Sequence, residues 1–153
     1  MKIIVSDMSK LEFETSSNLK SNVLLEYIID FEYYPNYFPL QLKDVKIIKK
    51  EKNEIITEEK IVFSTLVKNT IEQRSLHKQI SVNQLTTEII EGPAKGSLVT
   101  ILCNDTDSGS EIKISLDLKL SMKALFLKPF IGKFYQKYLT ALIFKISKRA
   151  ESL

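Results

Sequence analysis

The chain has 153 residues, 44% apolar and 27% charged, with four Gly, four Pro and a formal charge of +3. That length suits one substantial core and one domain over 1–153, burying roughly 70% of the unfolded surface, and the composition leaves little material for disordered linkers. The charge is too small by itself to indicate nucleic acid, Cys103 is the lone cysteine and excludes an internal disulfide, and no N-terminal run has the sections of a signal peptide, so a cytoplasmic location is expected.

Leu11, Phe13 and Thr15 alternate with Lys10, Glu12 and Glu14, the period of a strand with one buried face. Ser17 and Asn18 offer N-cap side chains ahead of a helix within 19–31, where Leu24, Leu25, Ile28 and Ile29 (or Phe31) fall at helical spacing. Pro35 and Pro39 then limit the aromatic piece Tyr33, Tyr34, Tyr37, Phe38 to one further turn.

From 45 to 121 the pattern predicts six strands in succession, with turn signals at Lys52-Asn53, near Lys68-Asn69, near Val82-Asn83, over 92–96 and at Asp107-Ser108-Gly109. The last is the clearest: Ile112, Ile114, Leu116, Leu118 and Leu120 alternate with polar residues. Short connections imply an antiparallel meander. In the strand containing Lys68, Glu72 and Arg74 these charges share one parity, which leaves Val67, Asn69, Ile71, Gln73, Ser75 and His77 facing inward. So many uncharged polar groups do not suit a dry core; they fit either a cavity lining or a sheet end open to water.

Pro129 is a favoured first helical residue, and a terminal helix is predicted over 129–150. Its stripe of Ile131, Tyr135, Tyr138, Leu139, Leu142, Ile143, Ile146 and Ala150 calls for a large apolar partner, and the inner face of the sheet is the one available. Lys128, Lys133, Lys137 and Lys145 interrupt this region, so no window approaches the ~20 apolar residues of a spanning helix. Lys123, Lys128, Lys133, Lys137, Lys145, Lys148 and Arg149 make the segment basic. Phe134 and Phe144 fall on the side of Lys133, Lys137 and Lys148, a pattern that fits a solvated face or peripheral contact with an anionic membrane surface, RNA or a protein.

These elements compose an α+β fold: a seven-stranded curved antiparallel sheet wrapped around a long C-terminal helix, with two short helices after strand 1. The succession resembles the START-like (SRPBCC) superfamily, which includes coenzyme Q-binding START proteins, polyketide cyclase-like proteins and the birch-pollen allergen type. Asp30-Phe31-Glu32-Tyr33-Tyr34-Pro35-Asn36-Tyr37-Phe38-Pro39 is similar to that group's Asp-Phe-x-x-Tyr-Pro segment, and Ile89-Ile90-Glu91-Gly92-Pro93-Ala94-Lys95-Gly96 is similar to its turn before the sixth strand. Ala94 stands where the group usually has Phe, and Ile101 where an aromatic is common. The resemblance, covering 10–150, implies a helix-grip fold enclosing an apolar cavity, with a mouth between the aromatic segment and the terminal helix.

The chemistry on offer is sparse. His77 and Cys103 are the only His and Cys, no Asp/Glu cluster has metal-ligand spacing, and the two glycines of 92–96 open no helix, so no cofactor, metal or dedicated catalytic residue is expected. The expected ligand-binding residues are Tyr34, Tyr37, Phe38, Phe63, Gln73, Ser75 and His77 from the first two thirds of the chain. Ile101, Cys103, Leu116, Phe130, Tyr135, Tyr138 and Leu142 complete the set, and Tyr33 and Phe126 are expected at the mouth with Phe63 and Phe130. The leading expectation is binding or transfer of a lipid, isoprenoid quinone or polyketide-like molecule. The alternatives are a cyclase or dehydratase type of enzyme, assisted by His77, Tyr37 or Tyr138, and, as the resemblance allows, a ribosome-associated inhibitor acting through the basic helix.

Overall fold

The computed structural model describes residues 10–64 and 68–152, apart from the side chains of 63, 64, 68, 69, 123, 124 and 127. Alternation sets the sheet's two faces. In β7 (Gly109–Asp117), Ile112, Ile114 and Leu116 are buried while Glu111, Lys113 and Ser115 meet water. Among the described residues the other strands are β1 (Lys10–Ser17), β2 (Leu42–Lys50), β3 (Glu54–Ser64), β4 (Lys68–Ser81), β5 (Gln84–Glu91) and β6 (Leu98–Thr106). All pairs are antiparallel in the order β1-β7-β6-β5-β4-β3-β2, so the first strand closes beside the last and the other six form the expected meander.

The polypeptide between β1 and β2 makes α1 (Ser21–Ile28), a 3-10 turn (Phe31–Tyr33) and α2 (Tyr34–Tyr37). The first helix is shorter than expected, and neither Ser17 nor Asn18 is its N-cap. Lys20 holds that position without a side-chain hydrogen bond, and the donor left open at Ser21 N is satisfied by the Asp105 carboxylate from β6 at 2.8 Å. A cap supplied 84 residues away leaves no local signal. Ser17 instead pairs with Ser147 Oγ at 2.7 Å, fastening the end of β1 to the terminal helix.

Lys68 and Asn69, expected in a turn, lie in β4, opposite Ser64 and Phe63 of β3. The connection at 65–67 is outside the described residues. Between β4 and β5 the register slips at Arg74/Ser75, an irregularity of the kind that re-aims side chains. Gly92 follows with φ +120°, and a Cβ there would meet Gln73 Cβ at 2.9 Å, so only glycine lets the chain turn against β4 at this point.

The chain closes with a 3-10 segment (Met122–Leu127) and α3 (Lys128–Glu151). Its buried residues are Ile131, Gly132, Tyr135, Leu139, Leu142, Ile143 and Ile146, the predicted stripe with Tyr138 and Ala150 at its partly buried edge. They share one core with Ile101, Ile112, Ile114 and Leu116 of the sheet and Leu24 and Ile28 of α1. Gly132 lets α3 approach β1 closely, since a Cβ there would sit 3.2 Å from Leu11 Cδ1.

The orientation of α3 can be tested on two neighbouring residues. Ile146 is fully buried and Phe144 is 62% exposed. Ile146→Ala is expected to cost ~2–5 kcal/mol in urea denaturation, and Phe144→Ala no more than about 0.5 kcal/mol.

Candidate functional site: a cavity with a buried carboxylate

A cavity lies between the inner face of the sheet, α3 and the segment joining α1 to β2, giving about 90 Å³ of room to the centres of water molecules. Its walls are mostly apolar: Ile28, Leu42, Val45 and Ile61 on one side, Leu85, Ile89, Val99 and Ile101 on another, and Leu139 and Leu142 from α3. Aromatic rings come from Phe31, Tyr34, Phe134, Tyr135 and Tyr138. Apart from the tyrosine hydroxyls, the polar lining among the described residues is Glu59 of β3, Gln73, Ser75 and His77 of β4, and Thr87 of β5.

The inward parity of β3 runs Ile55, Thr57, Glu59, Ile61, so a carboxylate takes a place between apolar residues. The Glu59 side chain is only 13% exposed. Gln73 Nε2 donates to its Oε2 at 2.6 Å, Ser75 Oγ to the same oxygen at 2.9 Å, and Thr57 Oγ1 to Oε1 at 2.9 Å. Among the described residues no Lys or Arg makes an ion pair with it, the nearest basic group being His77 Nε2 at 4.0 Å. Burial pushes the Glu59 pKa up from the ordinary carboxylate value, and the bonds from Gln73, Thr57 and Ser75 oppose that shift.

His77 is held on both nitrogens, Nε2 lying 2.8 Å from Thr57 Oγ1 and Nδ1 2.7 Å from Thr87 Oγ1. Thr57 has one hydroxyl proton, which goes to ionised Glu59. Its oxygen therefore accepts from His77 Nε2–H, and bare Nδ1 accepts from Thr87. The imidazole is neutral in this arrangement, in keeping with burial that lowers its pKa to about 3 and with the Phe31 ring stacked on it at 3.8 Å. Tyr34, Tyr135 and Tyr138 are also raised above the ordinary tyrosine value, burial being the main cause in each, and stay protonated. The Tyr34 hydroxyl donates to Ile28 O at 2.5 Å.

Of the residues expected to bind a ligand, Tyr34, Gln73, Ser75, His77, Ile101, Tyr135, Tyr138 and Leu142 line this cavity together. The others fall elsewhere. Tyr37 and Phe38 are buried behind the wall, where the Tyr37 hydroxyl accepts from Arg149 Nη1 at 3.0 Å and Phe38 packs on Tyr138 at 4.7 Å. Cys103 and Leu116 are buried outside the lining: Cys103 lies two residues beyond Ile101 on β6, past the stretch that faces the cavity, and Leu116 belongs to β7, which contributes no residue to the described lining. Since β5 separates β4 from β6, Cys103 is at least ~10 Å from His77, and burial raises its thiol to about 11. Phe130 is 63% exposed and Phe126 74%, so neither is in the wall; the Phe63 side chain lies outside the described residues.

Phe134 corrects another expectation. It does not face water with Lys133 and Lys137 but lines the cavity, stacked on Tyr138 at 5.8 Å. Phe144 does face out, beside Lys148. The main residue absent from the sequence-based set is Glu59, although its shared parity with Ile55 and Ile61 is a usable signal. Thr57, Phe31 and Thr87 carry no such signal, because a Thr or Phe on an inner face is ordinary. Among the described residues no group of three or more His, Cys, Asp or Glu is placed to hold a metal ion, and no helix is long and apolar enough to cross a membrane.

No protein-family model matches the chain, and no curated protein matches it by sequence. Solved structures do match over nearly its whole length. The ZhuI aromatase/cyclase from Streptomyces sp. R1128 is similar with a TM-score of 0.77 at 11% identity, over 93% of each chain. A START superfamily protein from Mycobacterium smegmatis gives 0.75 at 12%, over 91% of this chain and 97% of its own. The protein TTHA0849 from Thermus thermophilus gives 0.75 at 12%, over 94% of this chain and 97% of its own. The chain thus has the START-like helix-grip fold.

His77 and Glu59 make opposite demands on pH. A raised carboxylate pKa means that the folded protein takes up this proton first, so the Glu59 contribution to stability grows as pH falls toward its ordinary value. For His77 the unfolded chain binds the proton first, and stability is lost as pH falls below about 6.5 toward 3. Moving from pH 7 to pH 5 should therefore cost the native protein about 1–2 kcal/mol more than a His77→Gln variant, read from urea midpoints, with Glu59 common to both. Equal losses would place His77 in contact with water.

Proposed function

We propose that this chain is a START-like domain that binds a hydrophobic small molecule between the sheet and α3. One observation carries the reading: an apolar and aromatic cavity contains one compact, hydrogen-bonded polar cluster on a single wall, the anatomy of a site that buries a ligand's body and orients one polar end. The aromatase/cyclase and START superfamily proteins of like fold support this class of ligand without identifying it. Lipid, isoprenoid quinone and polyketide-like compounds belong to the class. A cytoplasmic setting is part of the same reading, suited to the single buried thiol of Cys103.

An enzymatic reading has its own support. Glu59, Thr57 and His77 form a hydrogen-bonded line at the cavity wall, and a carboxylate with a raised pKa is suited to accept a proton from a bound substrate, as a cyclase or dehydratase requires. Mass spectrometry of molecules extracted from the purified protein separates the readings: an intact apolar compound supports binding, and its conversion on incubation supports catalysis. RNA co-purifying with an empty cavity would favour the basic helix as the working surface instead.

Blocking the cavity gives a direct test. Ile101→Trp fills it from β6 and Ser75→Trp from β4; both should abolish the fluorescence gain of an apolar dye while urea unfolding stays cooperative. Ile101 is the cleaner site, because Ser75 also donates to Glu59. Dye binding that persists in both variants would exclude this cavity as the binding site.

A further inference from the structure

We propose, resting on the binding reading above, that the cavity selects a ligand whose polar end is an organic ammonium, received by the Glu59 carboxylate among the surrounding aromatic rings. Glu59 enters the cavity wall as a charge without a countercharge among the described residues: its three partners are the neutral donors Gln73, Ser75 and Thr57. Oε2 accepts two of these bonds and Oε1 one, and a carboxylate has about four acceptor positions, so Oε1 retains one.

The desolvation of Glu59 is borne by the folded protein before any ligand arrives. A cation entering the cavity gives up only its own hydration and gains a partner of opposite charge in a low-dielectric site. Phe31, Tyr34, Phe134, Tyr135 and Tyr138 bring aromatic rings to the same space, and an ammonium that meets a ring face gains an attraction that an alcohol does not. A ligand carboxylate meets repulsion from Glu59 with no Lys or Arg among the described residues of the lining to offset it. The site thus disfavours free fatty acids while accepting amines with an apolar body.

The titratable groups packed around Glu59 leave it in control of this preference. His77 on β4 is neutral above pH 5, and Tyr34 on α2 and Tyr135 and Tyr138 on α3 remain protonated. Charges next to it along the strands face outward and pair with each other, Glu58 with Arg74 at 3.0 Å and Lys60 with Glu72 at 3.9 Å.

Calorimetric titration of the full chain with octylammonium, octan-1-ol and octanoate at pH 8 provides the test. Octylammonium is expected to bind ~10-fold or more tighter than octan-1-ol, with octanoate weakest. That ratio should collapse toward one in Glu59→Gln, and in the native protein it should shrink as pH falls from 8 through the Glu59 pKa, which burial raises above the ordinary carboxylate value, because the amine stays charged there. The pH series decides by itself if the variant does not fold. Equal affinity for amine and alcohol, or a preference that survives in Glu59→Gln, overturns the ammonium assignment but leaves the cavity as a binding site. Failure of all three compounds to bind overturns the binding reading and this proposal with it.

Discussion

The fold depends on mutual burial of two surfaces that cannot stand in water alone, the stripe of α3 and the inner face of the sheet. Each large apolar side chain removed from water contributes about 1.5–3 kcal/mol, and α3 supplies Ile131, Leu139, Leu142, Ile143 and Ile146 to this one interface. The sheet must curve to meet a single helix across seven strands, and the pairing of β1 with β7 extends the curved face beyond the meander. Sequence separation is the kinetic cost of this solution: α3 follows all seven strands, and the face it covers stays open until it docks.

The contact between sheet and helix is not uniform, and the cavity follows from that. On the β6–β7 side, Cys103, Ile112, Ile114 and Leu116 are fully buried and share one core with the stripe of α3. On the β3–β4 side the inward residues include Thr57, Glu59, Gln73, Ser75 and His77, which need hydrogen-bond partners before they need apolar neighbours. They find those partners in one another across adjacent strands, so the network lies flat on the sheet and α3 presents Tyr135 and Tyr138 over it without filling the space. A buried polar network of this kind is unfavourable when one member is missing. Here every described buried side-chain polar atom has a partner, which is why a carboxylate and a neutral imidazole are tolerated 4.0 Å apart.

The sheet and terminal helix are legible in the sequence because their signals are periodic and local. Alternation in β7 and the i, i+3, i+4 stripe of α3 each report which face is buried, and both match the structure. What escapes such reading depends on distant parts of the chain. The cap of α1 comes from Asp105, and no rule acting within one turn could choose it over Ser17. Phe134 looks like a surface residue beside lysines, but it is the i−4 neighbour of Tyr138 and joins the stripe's edge where the cavity leaves room for a ring. Glu59 is hidden for a different reason. A charge in a strand is normally read as facing water, and only counting parity from Ile55 to Ile61 turns it inward.

The aromatic segment that carries the resemblance has a structural role set by its acid and its rings. Asp30 and the Tyr37 hydroxyl both bind Arg149 Nη1, at 3.1 and 3.0 Å, and the guanidinium lies 3.5 Å from the Tyr33 ring. Lys145 donates to Tyr37 O at 2.7 Å and sits over Phe38. Two cations from the last turns of α3 thus clamp the segment from outside, while its inner side supplies Phe31 to stack on His77 and Tyr34 to the cavity wall. Asp30, Phe31 and Tyr34 therefore serve three surfaces of one joint: helix, histidine and cavity. Part of the basic character of the terminal helix is explained by the same joint, because Arg149 and the ammonium of the otherwise exposed Lys145 bind the aromatic segment.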